Sequence, residues 1–573
     1  MNKTEKLICF VLAALLAGYI FMESGKRKEA AKAVAPAATN EVQSAAQQPA
    51  AAPAAPAVES APVKPADPTV PEKTLVLENG QLKLELSSWG AVVKKAVMKE
   101  YARGLGEISE DNPALEFDFS ASPLGAVEGA GMLAANAAYE VRSVGSNSVV
   151  FANALATRKV TLENNYRIVF EETFASAAPQ ANTISLGVVA MGGGKNDLLS
   201  VDSWMLGPDG GKVIHHCEGD SPLKAYLVGG MGGCSGSSSA AGLPRTVKVA
   251  YAGAQKWVAL KNRFFTSALV SSTEANSGFD TEIARDMKSS DYRPETVSAK
   301  ARFDSLPASR TSVFYVGPKK QSILWDLGMK DVMEFGMWRW ICYGVVWMLS
   351  FFNDYLPGYG IAIILLTLLV RVLFWPLTHK STVGMKKMQE LQPKLKAIQA
   401  QFKDNPQRLQ QETWALYRNE KVNPMSSCLP MLIQIPVFIA LFNVLRSAVE
   451  LRYAPFLWIA DLSEPEGLFA SWFPFGGLNI LPIFMAATMA LQSALTPSTG
   501  DKAQQKMMIV FMPIMMLFMF YSFPSALSLY WTVSQILSIV QMWLIRRSTA
   551  KKTEVLVPEV IDPPQTRQMR RHG

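Results

Sequence analysis

This chain is poor in the residue types that most enzymes use. Its 573 residues include only four histidines and five cysteines. There is no nucleophile elbow, phosphate-binding glycine loop or zinc-protease motif. His215-His216-Cys217 has no second well-spaced ligand set, so no metal site is expected, and nothing calls for a cofactor. The long apolar runs contain no Asp or Glu, which argues against a proton relay through a membrane. The first apolar run, Leu7 to Met22, is followed by neither an Ala-x-Ala cleavage site nor a lipobox cysteine. It therefore reads as an uncleaved anchor, residues 1–28. Residues 29–72 are Ala/Pro-rich with few large apolar side chains. They cannot build a core and read as a flexible linker.

The rest of the chain falls into two textures. Overall it is 49% hydrophobic with mean hydropathy +0.12, which fits a membrane part joined to a soluble part. Residues 73–320 show short alternating strands separated by Gly, Asn, Asp and Ser. A hairpin signal stands at Asn79-Gly80, and the whole reads as an all-β sandwich domain. Cys217 and Cys234 both fall here, and a disulfide between them is allowed. Residues 321–358 are apolar but loaded with Trp338, Trp340, Tyr343 and Trp347, as an amphipathic helix lying in a membrane interface would be. Five further apolar stretches follow, at about 359–377, 428–449, 478–495, 507–523 and 526–545. With the anchor they make six expected spans.

Charge orients these spans. The segment 380–424, read as a helical hairpin, carries nine Lys and Arg (Lys380, Lys386, Lys387, Lys394, Lys396, Lys403, Arg408, Arg418 and Lys421), and the tail 548–573 is basic as well. The loop 450–477 has only Arg452 against four acidic residues (Glu450, Asp461, Glu464 and Glu466). By the positive-inside rule the hairpin and both termini are cytoplasmic, and the β-domain is exported, to the periplasm in a bacterium. The basic faces of the hairpin suit anionic lipid or RNA.

Arg371 stands out inside the run 361–375. A charge there costs on the order of 2.5–3.5 kcal/mol on insertion scales. If the helix leaves the membrane near His379, Arg371 lies roughly 12 Å deep at 1.5 Å per residue. That depth favours a wet, protein-lined site over snorkelling. Thr367, Arg371 and Thr378 share a face by helical spacing, as do Thr488, Gln492 and Thr496, and also Trp531, Ser534, Gln535 and Ser538. Gln434 adds a polar side chain to a fourth span. Together they suggest a shared polar cavity. The run 507–523 is instead Met-rich (Met512, Met515 and Met519 among others), which suits contact with many apolar partners.

Several stretches together resemble the YidC/Oxa/Alb family of membrane protein insertases, the Gram-negative YidC form in particular. They are Val370-Arg371-Val-Leu-Phe-Trp-Pro-Leu-Thr378, Met388-Gln-Glu-Leu-Gln-Pro-Lys394, Lys421-Val-Asn-Pro424, Cys428-Leu-Pro-Met-Leu-Ile-Gln-Ile-Pro436, Glu450-Leu-Arg-Tyr-Ala-Pro-Phe456 and Phe523-Pro-Ser-Ala-Leu-Ser-Leu-Tyr-Trp531. The resemblance covers roughly residues 325–547. It implies a multi-domain membrane protein: a five-helix insertase core at 359–547, an N-terminal anchor, and a periplasmic β-super-sandwich similar to sugar-mutarotase folds. It also implies a polar groove centred on Arg371, lined by Thr367, Gln434, Gln492, Trp531 and Gln535. Ile435, Met512, Met515 and Met519 would form a hydrophobic slide. The implied partners are nascent membrane proteins, the Sec translocon, membrane lipids, and ribosome or signal-recognition components at the hairpin. The rival expectation is a membrane-tethered periplasmic sugar-acting enzyme, which would need more than the adjacent His215 and His216.

Overall fold

The structure, a computed structural model, describes residues 71–554 apart from 106–107, 129–135, 176–182, 191–198, 207–211, 219–245, 274, 286–293, 305–307, 357, 404, 421, 423–428, 470–476 and 496–505. These residues all belong to one of two compact units of the chain, Pro62–Gly573. The expected anchor, nearly all of the linker, Cys234, Thr496 and the tail beyond Glu554 lie outside the described residues, as do the side chains of His215, His216 and Cys217.

Period-two patterning builds the β-domain. In Leu82–Ser87, Leu82, Leu84 and Leu86 are fully buried, while Lys83 and Glu85 between them are only partly covered. Asn79 closes the turn before this strand. Its Oδ1 accepts the backbone N–H of Gln81 at 2.9 Å and of Leu82 at 2.8 Å. Thr74–Glu78, Leu82–Ser87, Val92–Ala102 and Ala114–Asp118 form a four-stranded antiparallel sheet. A five-stranded sheet runs Thr246–Ala252, Gly278–Arg285, Pro294–Arg302, Thr183–Ala190, Val127–Glu128. A nine-stranded sheet runs Lys212–Glu218, Ser200–Leu206, Gln255–Lys261, Phe265–Ser272, Ser309–Pro318, Arg167–Phe174, Ala156–Leu162, Ser148–Ala152, Glu140–Val144.

Contacts between sheets make the sandwich. Ser267 Oγ on the nine-stranded sheet donates to Leu186 O on the five-stranded one at 2.8 Å. Buried Arg158 crosses from the nine-stranded sheet to the carbonyls of Gly90 and, at 2.5 Å, Gly125. Gly125 has φ +78°, and a Cβ there would lie 2.5 Å from Phe170 Cζ, so the close approach needs glycine. Glu172 sits fully buried between Arg158 at 2.8 Å and Arg310 at 2.6 Å. That pairing is what keeps a charge tolerable in a core.

The helical part begins with α1 (Gln321–Asp326) and two 3-10 turns, Lys330–Met333 and Gly336–Trp338. They lead into α2 (Arg339–Tyr355), whose faces divide cleanly. Cys342, Val345, Val346 and Leu349 are buried, whereas Trp340, Trp347, Phe351 and Tyr355 are exposed. The expected span 359–377 is not one helix. α3 (Tyr359–Leu373) stops at Phe374, and α4 (Trp375–Glu390) leaves at an angle of 62°. Pro376 is the cause: it lacks an N–H, and its ring clashes with the preceding turn. The first arm of the expected hairpin also divides. α5 (Gln392–Gln401) starts anew after Leu391, with Pro393 in its first turn. α6 (Pro406–Asn419) is capped by Asn405, whose Oδ1 accepts Arg408 N–H at 3.0 Å. Lys394 and Glu420 pair at 2.6 Å, though both are too exposed to contribute much.

The chain continues through α7 (Leu429–Ser447) and α8 (Ile480–Leu495). A π-helical turn, Met507–Phe511, then runs into α9 (Met512–Phe520), and α10 (Ser525–Glu554) closes the core. Among the described residues, one helical stretch, Ser525–Ile545, is long and apolar enough to cross a membrane, or two if the bent pair α3–α4 counts as one. The other apolar helices are shorter. Pro376 and the π-turn interrupt what the hydropathy pattern reads as continuous, whereas Pro436 is accommodated inside α7.

Charged side chains lock the β-domain to the helical part. Arg263 Nε donates to Arg446 O at 2.6 Å and Nη2 to Ser463 O at 2.5 Å, and Nη1 pairs with Glu464. Arg452 donates to Ala102 O at 3.1 Å and Arg103 O at 3.3 Å. Buried Lys261 pairs with Asp202 and, at 2.9 Å, with Glu334. Burial alone would lower its pKa, but the two carboxylates outweigh that and raise it above the ordinary lysine value.

Candidate functional site

The break at Phe374 places the site. Arg371 lies in the last turn of α3, where the helix dipole favours a cation. Its Nε donates to Ser534 Oγ at 3.1 Å, and Nη2 donates to the same oxygen. Ser534 sits on α10 one turn beyond Tyr530, which is fully buried, with its hydroxyl in hydrogen-bonding reach of Ser534 and Gln434. Gln434 comes from α7, so three helices converge on one polar cluster. Beside it opens a cavity lined by Val370, Arg371, Phe374, Leu377, Thr378, Gln434 and Val437.

The kink is stitched into the same wall. Thr378 Oγ1 donates to the carbonyls of Phe374 and Trp375, both at 3.1 Å, and accepts from Gln541 Nε2 on α10 at 2.7 Å. A guanidinium has five N–H donors, and Ser534 offers Arg371 one oxygen. Among the described residues no carboxylate lies within ion-pair distance of Arg371. The cavity is therefore an apolar pocket with one uncompensated positive charge, suited to an acidic or carbonyl-rich guest.

The structure distributes the expected groove residues unevenly. Arg371 and Gln434 line the cavity. Thr367 is buried one turn away, with its hydroxyl donating to Ile363 O of its own helix at 2.6 Å. Gln535 is buried on α10 and does not line the cavity, and half-buried Gln492 on α8 does not either. Trp531 packs edge-on against Phe438 at 5.0 Å and tilted against Phe520 at 5.4 Å, its indole N–H enclosed without a hydrogen-bond partner. It bridges α7, α9 and α10 as an apolar wedge. Of the expected slide, Ile435, Met512, Met515 and Met519 are all exposed, beside Ile514 and Phe518, the last 76% exposed. Sequence reasoning passed over Tyr530 and Gln541. The signal for both was spacing from Ser534, four residues before it and seven after.

Comparison with known proteins gives the family. The family described as "60Kd inner membrane protein" matches residues 351–552, and the "YidC periplasmic domain" family matches 238–348. A protein from Chloroherpeton thalassium, named membrane protein insertase YidC, is 31% identical over 518 residues, covering 85% of this chain and 84% of its own. Relatives of the same name from Syntrophobacter fumaroxidans and Syntrophus aciditrophicus are each 40% identical, over 51% of this chain. The chain spans about half the length of these two, 53% and 52%. A crystal structure described as an active YidC insertase with its first transmembrane domain resolved is 19% identical, covering 84% of this chain and 94% of its own, with a TM-score of 0.34. The chain belongs to the YidC family of membrane protein insertases, which are not enzymes. It is an inner-membrane protein with a β-rich periplasmic domain.

Proposed function

We propose that this protein inserts other membrane proteins, without hydrolysing a nucleotide itself, through the cavity at Arg371. The observation that carries the reading is the Arg371 cluster: an unneutralised guanidinium, hydrogen-bonded to Ser534, in an apolar wall that opens where α3 breaks. A client's short polar segment enters the cavity, where Arg371 and Gln434 replace part of its water. Its apolar segment then passes along the exposed faces of Ile435, Met512, Met515 and Met519 into lipid, driven by burial of apolar surface. The six-span arrangement, with cytoplasmic termini and hairpin, belongs to this reading. So does cooperation with the Sec translocon, and with ribosome or signal-recognition components at α5–α6. Site-specific crosslinking tests it in cells. Cysteines placed at Gln434 and Met515 should capture a stalled single-span client. Absence of adducts at both, with a control position on the translocon reacting, refutes the route.

A further inference from the structure

A second cavity lies where the β-domain meets the helical core. Its lining includes Tyr101 and Lys320 from the β-domain side, Tyr359 at the start of α3, and Glu450, Arg452 and Tyr453 from the loop after α7. Arg452 is part of the wall, spent on the carbonyls of Ala102 and Arg103 and stacked over Tyr453 at 4.2 Å. Glu450 is the misfit. Its Oε2 is enclosed and has no hydrogen-bond partner. Among the described residues no Lys or Arg lies within ion-pair distance of it. Burial pushes its carboxyl above the ordinary value. A carboxylate held this way is costly until a cation meets it, and tyrosine rings beside a carboxylate form a favourable nest for an ammonium group.

Lys320 provides the opposite pole. Its Nζ is half-exposed at the cavity's edge, 3.9 Å from a Glu100 carboxylate that already accepts the Tyr166 hydroxyl at 2.6 Å. It is a loosely held cation a short way from an unmet anion. The setting is a membrane rim. Tyr359 begins α3, and the exposed aromatic edge of α2 (Trp347, Phe351, Tyr355) ends four residues earlier, as interfacial aromatics do at headgroup level. We propose that this junction cavity binds the headgroup of a zwitterionic phospholipid bearing a primary ammonium, with the ammonium against Glu450 and the phosphate on Lys320. A protein lysine would satisfy Glu450 but offer Lys320 nothing beyond its long 3.9 Å pairing with Glu100, so the lipid is the better fit. Such a lipid would tie the seating of the β-domain to the composition of the adjoining leaflet.

Native mass spectrometry of the purified full chain tests this, with short-chain phosphatidylethanolamine and phosphatidylglycerol offered together. The wild type should retain the ethanolamine lipid about tenfold over the glycerol lipid, the scale of one well-formed contact. Glu450→Gln should bring that ratio near one, and Lys320→Gln should weaken the ethanolamine lipid several-fold. Should Glu450→Gln fail to elute as a single folded species, Tyr359→Leu and Lys320→Gln read the same ratio. Soluble phosphoethanolamine should displace the lipid. A ratio unaffected by the variants, equal retention of both lipids by the wild type, or protection of the site only by a lysine-bearing client peptide each overturns the assignment.

Discussion

Arg371→Glu is the sharpest perturbation of the proposed route, because it reverses the one formal charge on the cavity wall while keeping a polar side chain there. The magnitude follows from distance and solvation. A client carboxylate that reaches the guanidinium at about 4 Å gains about 1 kcal/mol if the cavity is water-like, and about 4 kcal/mol at the effective dielectric typical near a protein surface. Reversing the sign doubles the difference, so each acidic residue in the transiting tail should be disfavoured by at least about 2 kcal/mol, roughly 30-fold in rate. A client with a neutral tail loses only the general hydration of the site. The assay is insertion of a matched pair of single-span clients, one with two acidic residues in its tail and one with their amides, in cells depleted of the wild-type protein. The expected result is a selective collapse for the acidic client in Arg371→Glu and recovery in Arg371→Lys. Equal insertion of the two clients by Arg371→Glu would refute the electrostatic role and leave the cavity with hydration alone.

Other consequences can be checked separately. Arg263→Ala removes the side chain that holds Arg446 O, Ser463 O and Glu464 at once. Discounted for the part-exposed Glu464, the loss is about 3 kcal/mol, and a separate, earlier unfolding transition of the β-domain should appear in a thermal melt. An unchanged single transition argues that the clamp is redundant. Gly360→Ala would place a Cβ 2.1 Å from Phe456 Cδ2, destabilising the junction by about 1–3 kcal/mol. Phe456→Leu in the same chain should recover most of that loss in midpoint temperature. Glu450 titrates above its ordinary value in the folded protein, so its ionisation opposes folding. Its stability cost is absent below the ordinary carboxyl range and grows as pH rises through the raised folded value. In lipid-free detergent Glu450→Gln should therefore melt higher than wild type at neutral pH and alongside it near pH 4. Parallel curves at both pH values would refute the burial argument.

Some of this was legible before any coordinates, and the reasons differ from residue to residue. Arg371 could be found because a charge in an apolar run is expensive wherever the run ends up. The β-domain could be found because alternation survives in strands such as Leu82–Ser87 and Ala156–Leu162. Thr367 was grouped with Arg371 because helical spacing reports a shared face, but spacing cannot tell whether a hydroxyl turns to its own backbone, as this one does. Trp375-Pro376 was read inside one continuous span because hydropathy averages over the proline that breaks it. The break matters, since it brings Thr378 back beside Arg371 from a second helix rather than along the first. Tyr530 was invisible as a polar residue because its ring counts as apolar while its hydroxyl does the joining.

The polar contacts at the β-domain end of the helical core bear on how a guest reaches Arg371. At the end facing the β-domain, Glu466 accepts the first backbone N–H groups of α8, from Ile480 at 3.0 Å and Leu481 at 2.5 Å. Asn479 donates to Tyr521 O at 2.6 Å, joining α8 to the end of α9. Ser525, at the start of α10, donates through N and Oγ to Glu464 O at 2.9 and 2.7 Å, and Arg263 grips the same loop and the end of α7. Nearly every element there is tied to a neighbour by a partly or fully buried polar contact. At the opposite end Gln541 on α10 holds Thr378 of α4, and the exposed pair Lys394–Glu420 links α5 to the end of α6. Opening the core at the β-domain end would leave several buried polar groups unpaired at about 1–3 kcal/mol each. A guest that reached Arg371 through the β-domain end would have to break several of these contacts at once, so that end of the core is held shut by its own polar ties.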